Sequence, residues 1–459
     1  MSEPGKHAHE HCRLAWLDQL AFELFRATGR SQLMQCLWIY DRDVNLFAIT
    51  QTYERLTDLA FNRLIEPSHL PWGRPRWVKP DGTLTPLRVG GTTLPRSQFM
   101  SWANIQANET IDPVAGPAWR MAIQRFDDGS TAVSLVGSHL VIDGMGSVLA
   151  IAAAAKGTVI PNPYQTQGAR GWLTGCASDA WQTLSDAPRT MAALARIAKA
   201  SLQRPASTTQ DKDGPAENAN SVNSDLVELP AAAVTIAAPV WDACARRLEG
   251  RENTFLPGFV ATLASHMGRC RSSDGTVSLL VPIDTRQGLN DERALAIEFR
   301  TMTIAPEGLV SSLKPLNAPF KGLLRSAKEN QTGALGLILP AIAWLPRRFS
   351  AALVNQLFAY ADAMPVSCSN LGRLPVEFGH IDGAPCNRVL TRAVDVNVSR
   401  RDLERSHGHL VVVASRYGET VSLCIEACQL APTQTTTDDL RKMIHRTLKD
   451  FGLDAVIET

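Results

Sequence analysis

One local run of residues is suited to chemistry: Gly137-Ser138-His139-Leu140-Val141-Ile142-Asp143-Gly144-Met145-Gly146. Val133, Leu135, Gly137 and His139 fall on one face of a strand, so an apolar strand delivers a histidine at its end. Imidazole is the side chain best matched to taking a proton near neutral pH. Four residues later Asp143 is followed by Gly144, and glycine admits a turn of unusual φ. Such a turn can swing the carboxylate away from the imidazole. A general base with a structural carboxylate is one reading; a core histidine beside an ordinary Asp-Gly turn is the other. These residues alone hold the two level.

The elements that must position this run mix helix and strand. Leu14, Leu17, Ala21 and Leu24 recur at helical spacing, and Met34 to Tyr40 reads as a strand. A helix over Leu46 to Ile65 places Ile49, Tyr53, Leu56, Ala60 and Arg63 on one stripe, with Arg63 at its apolar end. Met145 to Ala155 is an Ala-rich helix directly after the motif. Further on, the pattern gives a helix over Pro257 to Arg269 and a strand over Thr276 to Ile283. Leu410 to Ala414 and Thr420 to Ala427 form a hairpin across Arg416-Tyr417-Gly418-Glu419. A last helix runs from Asp438 to Phe451, capped by Thr437 and stopped by Gly452.

Between the halves, Arg204 to Asp225 is a polar, Pro/Ser/Thr/Gly-containing run with Val222 its only large aliphatic residue. It buries too little apolar surface to offset its ordering entropy and reads as a flexible linker. The expected organisation is therefore a lobe over residues 1–203, a linker at 204–225 and a second lobe over 226–459. The chain's 459 residues are enough for two sizeable cores. Lys+Arg 46 against Asp+Glu 45 leaves no basic excess, which argues against a nucleic-acid partner.

Nine scattered cysteines without a C-x-x-C pair, and no apolar secretory core at the N-terminus, point to reduced thiols in the cytoplasm. Cys424 and Cys428 share one face of an apolar strand, as core thiols do. The Gly333 to Leu345 run is about a dozen residues, short of the ~18–20 a membrane crossing needs. With its Pro346-Arg347-Arg348 flank it leaves peripheral membrane contact open, a buried helix being the commoner fate.

Other histidines carry weaker signals. His7, His9 and His11 could chelate an ion only in an ordered extended tail. His380-Ile381-Asp382-Gly383 has the wrong motif spacing and reads as a turn. His407 and His409 read as solvated loop residues, and His266 as structural. No metal site is expected.

The residues around the motif move the balance, because the chain resembles the chloramphenicol-acetyltransferase-like superfamily. Its H-x-x-x-D-G motif is shared by nonribosomal condensation domains, polyketide- and lipid-associated acyltransferases, wax ester synthase/diacylglycerol acyltransferases and plant BAHD acyltransferases. Ile111-Asp112-Pro113-Val114-Ala115-Gly116-Pro117-Ala118-Trp119-Arg120 is similar to the family's F-D-x-x-x-G-P-x-x-R segment, with Ile111 in place of Phe. Val281-Pro282-Ile283-Asp284-Thr285-Arg286 resembles the strand end that opens the second lobe's crossover. Val366-Ser367-Cys368-Ser369-Asn370-Leu371-Gly372 resembles the S-N-x-G stretch.

The resemblance implies an α/β fold of two lobes forming a pseudo-dimer, with the active-site tunnel between them. It implies His139 as general base, acting on an alcohol or amine acceptor that attacks an acyl thioester directly. Asp143 would give structural support by pairing with an arginine, Arg63 first and Arg286 in reserve, while Gly144 would permit the turn. Ser369 or Asn370 would line the opposite wall and meet the developing oxyanion. No bound cofactor is implied; the co-substrate would be acyl-CoA or an acyl carrier protein thioester, in lipid or secondary-metabolite assembly. The protein would be a monomer.

Departures from the family pattern are informative. Ser138 stands where many members have a first histidine, on the strand face turned from the tunnel. The plant D-F-G-W-G motif is absent, Glu377-Phe378-Gly379 being no more than a fragment of it, which argues against a BAHD enzyme. Ala294 to Ala305 carries Glu298 and Arg300 in place of the Gly and Asn of amide- and wax-ester-forming enzymes. Acceptor class therefore stays open among an ester-forming acyltransferase, a free-standing amide-forming condensation enzyme and a catalytically idle binding module.

Overall fold

Runs of apolar residues buried on both faces, such as Thr131–Ser138, force sheets covered by helices on one side and by the other half of the chain on the other. The computed structural model describes residues 12–82, 87–158, 162–202, 225–288, 290–329, 366–431 and 433–459. The 204–225 linker, apart from its last residue, lies outside these, as do the His7–His11 tail and the Gly333 to Leu345 run.

The first half contributes α1 (Trp16–Thr28), β1 (Ser31–Tyr40), α2 (Leu46–Asp58), β2 (Leu64–Glu66), β3 (Arg76–Val78), β4 (Arg88–Val89), α3 (Phe99–Asn108), β5 (Trp119–Arg125), β6 (Thr131–Ser138), α4 (Gly144–Lys156) and α5 (Trp172–Leu202). The second half contributes β7 (Ala231–Ala237), α6 (Ala238–Arg247), α7 (Glu252–His266), β8 (Val277–Asp284), β9 (Ile297–Ile304), α8 (Lys314–Glu329), β10 (Val366–Arg373) and β11 (Arg388–Val396). It closes with α9 (Arg400–Arg405), β12 (His409–Tyr417), β13 (Thr420–Cys428), α10 (Thr437–Asp450) and β14 (Val456–Glu458).

Two main sheets result, in the orders β11-β1-β6-β5-β4 and β14-β7-β13-β12-β10-β8-β9. The first is not built from the first half alone. β11 runs antiparallel to β1 in unbroken register from Ser31↔Val396 to Ile39↔Arg388. A division at the 204–225 segment therefore cuts the sequence but not the sheets. Trp38 adds to the tie, its indole N–H donating to the Phe378 carbonyl at 2.7 Å. In the second sheet β10 lies parallel to both β8 and β12. Trp241, Phe255, Phe259 and Phe451 form its aromatic core under α6, α7 and α10.

Several expected boundaries differ, among them the start of the helix read over Pro257 to Arg269, which begins at Glu252. The helix read over Leu46 to Ile65 stops at Asp58, because Leu64–Glu66 leave the helix to pair with β3 and Ile65 N–H donates to the Pro113 carbonyl. The last helix is capped by Thr436, whose hydroxyl accepts from Asp439 N–H in a capping box, and not by Thr437. Cys424 and Cys428 are both buried free thiols.

Candidate functional site

β6 ends at Ser138, and the next residue turns out of the sheet. His139 N–H donates to the Gln32 carbonyl of β1 at 3.0 Å, and Val141 N–H returns to the Ser138 carbonyl at 3.0 Å, fixing a tight corner. Ser138 is fully buried, and its hydroxyl accepts from Leu140 N–H, so this position shapes the corner. His139 is half-buried on the wall of a cavity of about 550 Å³. Met34 and Met145 from the first half line it, with Pro282, Phe299, Asn370 and Val411 from the second. Burial pushes the imidazole below its ordinary proton affinity; the carboxylates of Asp143 and Asp395 pull the other way.

Asp143 is buried and fully engaged elsewhere. Its Oδ1 accepts from Gly146 N–H at 2.7 Å, capping α4; its Oδ2 accepts from Arg286 Nη2 and from Ala296 N–H, both at 2.7 Å. With its own N–H on the Ala294 carbonyl, it staples the crossover segment to the motif corner. Gly144 does not have the positive φ expected of it: it is the first residue of α4. A Cβ there would lie 2.8 Å from Leu371 Cδ2, so a side chain at this position would have to displace the end of Leu371 on β10. Gly146 likewise makes room for Arg286, whose guanidinium carbon would be 3.0 Å from an added Cβ.

The two candidate arginines divide the work differently from the expectation. Arg286, the reserve candidate, forms the ion pair with Asp143 and also donates to the carbonyls of Asp291, Arg293 and Ala294. Arg63 supports the same corner through the backbone. Its Nε and Nη2 donate to the Val141 carbonyl at 2.9 and 2.7 Å, while Nη1 reaches Tyr164 Oη and the Glu292 carbonyl. Its guanidinium stacks 3.9 Å above Trp77. Because the chain leaves α2 before Arg63, the side chain is aimed at the corner's carbonyl and not at the carboxylate.

Sequence reasoning missed Asp18. This buried carboxylate accepts from Ala294 N–H at 3.0 Å and Leu295 N–H at 2.8 Å, and burial raises its pKa. Its position on an ordinary amphipathic helix gave no signal. Across the cavity, Asn370 Oδ1 accepts from Gly372 N–H at 2.8 Å, where Gly372 has φ 66°. Nδ2 is then the donor its side chain can offer a ligand. Glu298 and Arg300 pair with each other at 2.7 Å on β9. The His380-Ile381-Asp382-Gly383 run is a turn, its Asp382 buried against Arg42.

His409 departs from its expected solvation. It is buried as the first residue of β12, with Nε2 3.2 Å from Glu426 and 3.4 Å from Asp395. These three groups have the types to ligate a metal, with ligand atoms within 4.8 Å of one another. Each already has protein partners: Asp395 also meets Arg30 and Gln32, and Glu426 accepts from Asp395 N–H and feels the buried Arg392. The cluster reads as a charge network behind the cavity wall, with Asp395 its cavity-facing member. Asp395→Asn removes one of two negative charges acting on His139, so its imidazole is expected to titrate at lower pH than in the unaltered chain. An unchanged midpoint in an NMR titration of the ring protons would refute that coupling.

No protein-family model matches the chain, and no curated protein matches it. Among solved structures it is similar to the first condensation domain of the calcium-dependent antibiotic synthetase in complex with a substrate analogue. That match has 14% identity over 96% of this chain and 95% of that one, with a TM-score of 0.58. A second structure of that domain matches at 13% identity, covering 97% and 99%, with a TM-score of 0.56. A variant of the starter condensation domain of rhizomide synthetase, in complex with C8-CoA and Leu-SNAC, matches at 13% identity over 99% of this chain and 96% of that one, with a TM-score of 0.51. At these identities the likeness is one of fold, and it spans almost the whole chain.

Proposed function

We propose that this chain, which has the two-lobed condensation-domain fold of the chloramphenicol-acetyltransferase-like superfamily, is an acyltransferase. It moves an acyl group from a CoA or carrier-protein thioester to an alcohol or amine. The observation that carries this reading is His139 at a strand end, on the wall of a cavity lined by both halves, with its motif carboxylate turned into structure. Lowered proton affinity keeps the imidazole neutral at physiological pH, the state a general base requires.

The acceptor's O–H or N–H proton passes to the imidazole as its oxygen or nitrogen attacks the thioester carbonyl. The tetrahedral intermediate then expels the thiolate, which takes the proton from the imidazolium. Asn370 Nδ2 on the facing wall is the side-chain donor assigned to the oxyanion. No acyl-enzyme forms and no resident cofactor takes part.

A second reading narrows the acceptor to an amine. Asp284, Asp395 and Asp402 line the cavity, with Arg30 the sole Arg or Lys among its described lining residues. Such a wall favours an ammonium group over a neutral alcohol. The deciding experiment incubates the protein with acyl-CoAs and acyl carrier proteins against matched alcohols and amines, reading products by mass. New ester or amide with stoichiometric free thiol supports the proposal. Turnover that needs no acceptor, or no product from any pair, favours a hydrolase or an idle binding module respectively.

A further inference from the structure

α5 runs for 31 residues along the surface of the first half. Its inward face carries two buried carboxylates, both paired. Asp179 is buried against Arg76 at 2.7 Å and Arg170 at 3.0 Å, and Asp186 against Arg13 at 3.0 Å and Arg74 at 3.1 Å. A surface helix normally turns its apolar stripe inward and its charges outward. α5 does the reverse: Leu173 is 72% exposed, Trp181 73%, Leu184 68% and Met191 63%. Ala177, Pro188 and Ala195 are exposed between and beyond them.

At ~100° per residue these seven positions fall within an arc of about 80° on the outer face. At ~1.5 Å per residue the stripe from Leu173 to Ala195 is about 33 Å long. Trp172, 64% exposed, flanks its start, and half-exposed Trp72 lies beside it across a small cleft that Leu184 and Met191 also line.

Charge selects the occupant. The exposed charged residues of α5 over 172–196 are Arg189 and Arg196, which lie along one edge of the stripe; its carboxylates are the two buried ones. A second copy pairing through this face would bring no α5 carboxylate to meet those arginines. A bilayer of anionic lipid supplies both partners at once: acyl carbons for the stripe and phosphates for its edge. Tryptophan and leucine beside arginine are the residues that settle at that boundary.

We propose that the outer face of α5 docks the protein on an anionic membrane surface, the helix lying in the interface plane. The surface is separate from the His139 cavity, so its test does not depend on the acyltransferase reading. The experiment is flotation of the full chain with vesicles of phosphatidylcholine alone or mixed with phosphatidylglycerol.

Most of the protein is expected to float with the mixed vesicles and little with phosphatidylcholine alone. Trp181→Asp with Leu184→Asp should weaken binding by about tenfold or more, because both side chains leave the apolar boundary. Both are exposed, so an unchanged unfolding midpoint should accompany the loss. Quenching of tryptophan emission by brominated lipid checks contact in the unaltered chain. Failure to float with phosphatidylglycerol vesicles, or full binding by the double variant, overturns the proposal. A dimer that the same variant makes monomeric, without vesicle binding, assigns the face to a second copy instead.

Discussion

Replacing His139 with alanine is expected to lower acyl transfer by about 10²–10⁴-fold while leaving the fold in place. The bond that holds the corner comes from His139 N–H, which donates to the Gln32 carbonyl, and alanine keeps it. The ring faces the cavity, so its loss removes a base and little packing. The pH profile of the unaltered protein should show the same group. Burial lowers the imidazole's pKa, so kcat/KM should rise with pH through a midpoint below the ordinary histidine value of about 6.5 and stay level above it. A midpoint above that value would contradict the site's electrostatics. Wild-type turnover by a folded His139→Ala protein would remove the base from the mechanism and leave the cavity as a binding site.

The motif was legible because its information is local: a strand end, a histidine, and an aspartate that caps the next helix all lie within a dozen residues. The partner of Asp143 was not. Arg63 and Arg286 lie 80 and 143 positions away along the chain, both end beside the corner, and only the exit of the chain from α2 decides which one faces the carboxylate. The expectation for Gly144 was conformational, whereas what a side chain there would meet is the end of Leu371, arriving from the other half. His409 misled through its neighbours. Ser406-His407-Gly408 looks like a solvated loop, yet strand pairing begins at the next residue and turns it towards Glu426. The long α5 carries an apolar stripe at helical spacing, but periodicity alone turns such a stripe inward, and only the buried pairing of Asp179 and Asp186 places it on the solvent face.

Arg286→Ala is expected to cost about 3–5 kcal/mol of stability, far more than the change at His139. The ion pair it breaks is buried on both sides and closes at 2.7 Å. Asp143 would keep its bonds from Gly146 N–H and Ala296 N–H but lose the cation it pairs with, leaving a buried charge poorly compensated. The carbonyls of Asp291, Arg293 and Ala294 would lose a shared donor at the same time, freeing the segment that joins β8 to β9. Lysine is a poor substitute, because one ammonium cannot reproduce the planar fork that reaches the carboxylate and several carbonyls together. A double-mutant cycle with Asp143→Asn separates the pair from its surroundings. The neutral amide no longer needs a cation, so adding Arg286→Ala to Asp143→Asn should cost at least about 1 kcal/mol less than in the parent, read by urea unfolding. Strict additivity would mean that Arg286 acts on the crossover carbonyls alone. The cycle also tests why the motif aspartate faces away from the base: its charge is spent holding the two halves at the spacing that the cavity and His139 require.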